Sequence, residues 1–159
     1  MSVCTLLPDA LVQSSFLVQA ILGEVAAEHD LSVTQVRLLG VLRDRELRMA
    51  QLAQLLGLSR SSTTGLVDRA QQRGLVERVE IPVGDERAVH VRLSESGRQL
   101  ARAGTAEVAD RLGEVVDGLS DRGRERLSRL LTKVVIRDAE ARGLELTPNR
   151  AETGERRPQ

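Results

Sequence analysis

Apolar positions along this chain recur at two periods, and the change of period divides it. Over residues 9–28, Leu11, Val12, Phe16, Ala20, Ile21 and Val25 fall at helical spacing. Pro8 stands just before them, where proline is tolerated at a helix start. Ser32 begins a second helix. Its hydroxyl can accept from a first-turn N–H while Gln35 reaches back, which makes a capping box, and Val36, Leu39 and Leu42 supply the apolar face. Arg43 to Arg48 reads as a charged connection. A third helix covers 49–56 with Leu52, Leu55 and Leu56 inward, and Gly57 permits the left-handed turn that ends it. Ser59 caps a fourth helix that runs to about Arg73, with Thr63, Leu66, Val67 and Ala70 on one stripe and Gly74 as its stop.

The period then drops to two. Val76 to Ile81 and Ala88 to Leu93 read as strands, the second alternating Val89, Val91 and Leu93 with His90 and Arg92 as a half-buried strand should. Pro82, Val83 and Gly84 break the run and start a loop. Ser94 caps a long helix over 95–118, with Leu100, Val108, Leu112, Val115 and Val116 as its apolar set. Ser120 or Asp121 starts the last helix, with Leu127, Leu130, Leu131, Val134 and Val135 along one side. The polar stretch 147–159 reads as a disordered tail.

Two short helices meeting at a glycine turn, then a strand pair, make a winged helix-turn-helix over 31–94 in a mainly α (α+β) chain. The helices at 9–30 and 95–142 carry apolar stripes larger than so small a core can cover. A helix with an unclaimed stripe must find a partner. The economical partner is a second copy, so these helices are read as the dimerisation region of a homodimer.

Composition narrows the class. The chain has 159 residues, 41% hydrophobic and 29% charged, about one globular domain. No uninterrupted apolar run approaches the roughly 18 residues that span a bilayer, so no membrane association is expected. The single cysteine, Cys4, rules out an intrachain disulfide and suits the cytoplasm. Cys4 is read as preceding the first helix, a terminal thiol rather than a redox sensor. Net charge is zero, but between Ser59 and Arg78 four arginines (60, 69, 73, 78) face Asp68 and Glu77, which is 4 − 2 = +2 locally. Every basic residue but Lys133 is arginine, whose fork suits phosphates and guanine edges.

The candidate chemistry lies on the fourth helix and the wing. Arg60, Ser61, Ser62, Thr64, Gly65, Asp68 and Arg69 face away from the core stripe. A helix in the major groove reads bases with its N-terminal half, where short hydroxyls approach base edges and arginines reach phosphate or guanine. In the wing, VGDERA, Arg87 is the sharpest single candidate, since an arginine on a hairpin fits the electronegative minor groove. Asp85 can aim its guanidinium, and Asp68 can do the same from the helix. His29 and His90 lack ligand spacing, so no metal is expected, and neither a cofactor motif nor a nucleophile elbow occurs. The chain therefore does not read as an enzyme.

The helix pair LAQLLGLSRSSTTGLVDRAQQRGLV and the wing DERAVHVRLSESG resemble the MarR family of multiple antibiotic resistance regulators, over about residues 10–140. Ser94 takes the place of the family's threonine, and Gly97 is kept. The resemblance implies an obligate dimer on a pseudo-palindromic double-stranded operator, the fourth helix in the major groove and Arg87 in the minor groove. It implies a repressor released by a small-molecule effector or an oxidant. One departure is Gly65, where many members carry an arginine, and this shifts the reading to Ser61, Ser62, Thr64 and Arg69, or to DNA shape. An effector pocket is expected between the dimer helices and the winged lobe, with Phe16, Leu17, Ile21 and Leu39 as candidate lining. The rival reading is a dimeric winged-helix ligand-binding or scaffolding protein without sequence-specific DNA binding; Gly65 and the zero net charge support it.

Overall fold

The computed structural model describes residues 3–83 and 86–144, with side chains at 6–80 and 88–144. The expected tail and Asp85 lie outside these residues, as do the side chains of Cys4 and Arg87. By contact the chain divides into Met1–Gly118 and Leu119–Gln159.

The first unit runs α1 (Val3–Glu28), α2 (Val33–Leu42), β1 (Leu47–Arg48), α3 (Met49–Leu56), α4 (Arg60–Gln72), β2 (Val76–Val83), β3 (Glu86–Leu93) and α5 (Glu95–Val115). The second holds α6 (Asp121–Ala141), capped by Ser120, whose hydroxyl accepts from Gly123 N–H. Strand order is β1-β3-β2, all antiparallel. This is the mainly helical winged helix-turn-helix that the periodicity predicts.

Local chemistry sets the boundaries. At α2 the capping box is complete: Gln35 N–H donates to Ser32 Oγ at 3.2 Å, and Ser32 N–H to Gln35 Oε1 at 2.9 Å. Gly57, at φ 68°, ends α3, and Ser59 Oγ accepts from Ser62 N–H at 3.1 Å to start α4. Gly74, at φ 70°, ends α4, with Leu75 N–H returning to Ala70 O. The core of the winged lobe is Leu38, Leu42, Leu52, Leu56, Val67, Val91 and Leu93, all but fully buried. Thr63 is buried among them, its hydroxyl donating to Ser59 O, so the stripe strands no polar atom.

One close approach locks α4 to α5. Ser94 N–H donates to Leu75 O at 3.1 Å, and the hydroxyls of Ser94 and Ser96 both donate to Gly74 O. A Cβ at Gly97 would lie 1.9 Å from Leu75 O, so only glycine lets the start of α5 seat against the turn that leaves α4.

Several boundaries differ from expectation. Helix α1 begins at Val3, so Pro8 lies inside it and Cys4 belongs to its backbone. As the sixth residue of the helix it supplies no N–H, so the bond to the carbonyl four residues back is absent there. The charged connection contains β1, a two-residue strand whose only cause is its pairing with Val91 and His90, which local pattern does not reveal. Strands β2 and β3 extend to Val83 and Glu86, so Pro82 does not break the run. It sits on the outer strand of the sheet, where a missing donor costs no ladder bond. Val89 is exposed rather than half-buried, because the pairing with β1 stops at His90 and the hairpin continues beyond the core.

The apolar surface of α1 is broader than its uninterrupted runs suggest. Its segment Leu6–Glu28 has a mean hydropathy of 1.4 and is long and apolar enough, by length and composition, to cross a membrane. Isolated polar residues such as Gln13, Ser14 and Gln19 interrupt its runs without cancelling the average. Its last part packs inward through Ile21, Val25 and Ala26, while Leu6, Leu7, Leu11, Val12 and Phe16 are exposed. Helix α6 likewise exposes Leu130, Val134 and Val135.

Candidate nucleic-acid interface

Helix α4 separates its roles by face. Thr63, Leu66, Val67 and Ala70 point into the core, and Arg60, Ser61, Ser62, Thr64 and Arg69 are exposed on the opposite side. The hydroxyls are ordered by local bonds. Ser59 Oγ donates to Ser62 Oγ at 2.8 Å, Ser61 Oγ lies 3.1 Å from Ser59 Oγ, and Thr64 Oγ1 donates to Arg60 O at 2.9 Å. Each keeps an acceptor lone pair for a ligand. Gly65 leaves a gap on this face, and Arg69 folds over it, its Nη1 3.3 Å from where a Cβ would stand.

The arginines sort by partner. Arg78 Nη2 donates to Asp68 Oδ1 at 2.6 Å, and Nη1 bonds Gln71 Oε1, which ties β2 to α4. Asp68, expected to help aim Arg87, is thus engaged by Arg78. Arg92 donates to Glu77 at 2.6 Å and to Glu46 at 3.3 Å, and these carboxylates, Glu77 foremost, hold its pKa above the ordinary arginine value. Arg60 and Arg69 have no acidic partner among the described residues, and neither does Arg48. Cations left unpaired on one lobe are the ones free to meet phosphate.

Arg48 is no candidate in the sequence, where it belongs to the charged connection Arg43 to Arg48. With Met49, Ala50, Arg60, Thr64 and Val89 it lines a recess of about 380 Å³ between α3, α4 and the hairpin. Its signal was a basic residue immediately before a short helix, one helix and one turn ahead of Arg60 at the start of α4.

In the wing, Arg87 pairs through its backbone with Pro82, and Val83 with Glu86 is the last pair. The connection is therefore residues 84–85, not the longer loop expected over 82–88, and Arg87 is a strand residue next to the tip. His90 Nδ1 lies 3.3 Å from Ala88 O.

A cavity of about 200 Å³ lies among α1, α2 and α5, lined by Leu22, Val25, His29, Arg37, Leu39 and Val108 among others, and its walls are almost wholly apolar. Of the four expected lining residues only Leu39 belongs to it. Ile21 is buried elsewhere, and Phe16 and Leu17 face outward on the earlier turns of α1, where helical spacing alone does not distinguish the two faces. His29 Nε2 lies 3.0 Å from both carboxylate oxygens of Glu107, joining α1 to α5 at the cavity edge. On the same seam Arg111 donates to Glu24 and Glu28, which raise its pKa, Glu28 foremost.

Known proteins share this fold. Residues 29–88 match the model of the MarR family. An uncharacterized HTH-type transcriptional regulator of Bacillus subtilis, YfiV, is 35% identical over 89 residues, 54% of this chain and 55% of the relative, so the match spans about half that protein's length. The solved structure of wild-type apo MarR from E. coli is 25% identical, with a TM-score of 0.69 over 80% of this chain and 95% of that one. A structure of NadR in complex with 4-hydroxyphenylacetate is 25% identical, with a TM-score of 0.67 over 79% of this chain and 89% of that one.

Proposed function

We propose, from the premise that residues 29–88 match the MarR family and that the fold is the MarR-type winged helix, that this protein is a homodimeric DNA-binding transcriptional repressor of the cytoplasm. Helix α4 enters the major groove of a pseudo-palindromic operator, and the hairpin lays Arg87 in the flanking minor groove with Asp85 aiming it. Asp68 acts from the helix, holding β2 through Arg78. The observation that carries this reading is the exposed face of α4. Arg60, Ser61, Ser62, Thr64 and Arg69 are exposed on it, Arg48 joins them from the residue that caps α3, and Asp68, the acid of α4, is already paired with Arg78. With Gly65 in place of a longer side chain, base reading rests on hydroxyls and Arg69, and the rest on phosphate contacts and groove shape.

The exposed apolar faces of α1 and α6 support the dimer, since contiguous apolar surface marks an interaction site. The cavity supports release by a compact, mostly apolar effector. That NadR was solved with a single-ring aromatic acid is consistent with its size.

A band shift on the DNA flanking the gene tests the reading. We expect retardation at low salt that weakens steeply as salt rises. Arg87→Ala should weaken binding by about tenfold or more and lower the salt slope by about one. No retardation at low salt overturns DNA reading and leaves the ligand-binding alternative. An unchanged affinity and slope in Arg87→Ala overturns the wing assignment alone.

A further inference from the structure

The cavity and helix α4 are joined at both ends of the helix. On one side, Arg37 of α2 lines the cavity, and its Nη2 donates to Leu56 O at 3.3 Å. Leu56 is the last residue of α3, and only Gly57 and Leu58 separate it from the Ser59 cap of α4. On the other side, Arg73, the residue that closes α4, donates through Nη1 to Asp30 O at 2.5 Å and through Nη2 to His29 O at 3.5 Å. These carbonyls belong to the turn after α1, where no further helical residue satisfies them. His29 lines the same cavity as Arg37.

We infer that Arg37 and Arg73 are positioning residues that transmit the filling of this cavity to the two ends of α4. The inference rests on the proposed function only in taking α4 as the DNA-reading helix. The turn at 29–30 has little slack. Asp30 is held at φ 53°, the one positive φ at a non-glycine among the described residues, and Leu31 N–H and Asp30 N–H are both bonded back to α1. His29 is held from its ring side by Glu107. A molecule that presses His29 off Glu107 therefore moves the carbonyls that Arg73 grips, and one that displaces Arg37 frees the turn between α3 and α4. Close-packed elements shift as units rather than deforming smoothly, so small displacements at the cavity reach the helix. No other hydrogen bond links α4 to α1 among the described residues.

The cavity can be filled from its own walls. Gly40 and Gly104 both line it. A Cβ at Gly40 meets nothing within 4 Å, and one at Gly104 meets Val25 Cγ1 at 3.8 Å, an ordinary contact. Gly104→Leu, beside Val25 of the cavity wall, is the first filled variant, and Gly40→Leu, at an exposed position on the rim, is the second.

The test is hydrogen exchange of backbone amides in the full chain, with helical circular dichroism as the check on folding. In either filled variant we expect exchange at residues 58–61 and 70–73 to change by about threefold or more. With Arg73→Met added, the change at 70–73 should vanish; with Arg37→Met added, that at 58–61 should vanish. Arg73→Met alone should speed exchange at 70–73, which keeps the tie testable should both leucines fail to fold. Unaltered exchange in a folded filled variant, a change that survives loss of its arginine, or unaltered exchange in Arg73→Met overturns the inference. No DNA is present in the measurement. A protein that couples in this way yet binds no DNA loses the proposed function and keeps the coupling, and the converse result separates them equally.

Discussion

The winged lobe and the terminal helices satisfy their apolar residues in opposite ways. In the lobe, Leu52, Leu56 and Val67 are covered by neighbouring elements of the same chain, and even Thr63 finds an internal acceptor. On α1 the first four turns leave Leu7 62% and Phe16 59% exposed, and α6 leaves Val135 56% exposed. A lobe so completed holds its surface for polar work, whereas a helix so uncovered is unfinished until something seats on it. On the proposed function, the difference separates residues that make a stable DNA reader from residues that join two copies, and perturbing each side should give different readouts.

The largest effect is expected on the unfinished side. Leu130→Arg with Val134→Arg puts charge on two of the most exposed apolar positions of α6. Each buried Leu or Val contributes about 1.5–3 kcal/mol, and symmetry doubles the loss, so the proposed dimer should weaken on the order of a thousandfold or more. Light scattering over a concentration series should read a monomer, with helical circular dichroism retained. An unchanged mass would remove α6 from the interface.

Two glycines sharpen the contrast next, because the same substitution should act with opposite sign. Gly97→Ala places a Cβ 1.9 Å from a backbone carbonyl, where nothing flexible can yield, and should cost about 3 kcal/mol in urea unfolding. Gly23→Ala on α1 meets nothing within 4 Å and should be neutral or stabilise by up to about 1 kcal/mol through helix propensity. Equal effects at the two sites would show that the seam between α4 and α5 is not the rigid joint described above.

The comparison also explains what was legible in the sequence. Caps and stops follow from residues a few positions apart, so the Ser32–Gln35 box, Gly57, Ser59 and Gly74 were readable to the residue. The exposed face of α4 followed from the same periodicity. Pairings across distance were not: β1 exists only because Leu47 finds Val91, and Pro82 stays in its strand only because that strand is outermost. The cavity was hidden for the same reason. Helical spacing marks an apolar stripe on α1 but does not say which turns meet α5, so Phe16 and Leu17 were named where Val25 and His29 line the wall. Arg48 was overlooked because its meaning comes from standing beside Arg60, twelve residues on.

A smaller effect tests the locally readable part. Ser32→Ala removes the acceptor for Gln35 N–H and should lower stability by about 1 kcal/mol, seen as a lower Tm, without changing the dimer mass. A drop much larger than this would mean that α2 depends on the cap to form the cavity wall, which would draw the lobe and the cavity into one cooperative unit.

The smallest effect lies where the two regions meet, at the first residue of α5. Glu95 is exposed, and its hydrogen bond and charge interaction with Arg98 hold its carboxyl below the ordinary value of 4.5. A carboxylate whose folded pKa lies below its unfolded one stabilises the fold above the unfolded pKa and loses that contribution as pH falls through the folded one. Glu95→Gln should therefore lower Tm slightly at pH 7, and the gap between the two proteins should close as pH falls through the lowered folded pKa of Glu95. A gap between the two proteins that persists in acid would trace the effect to packing at the joint rather than to charge. It would place Glu95 with Gly97 among the residues that seat α5 on the winged lobe.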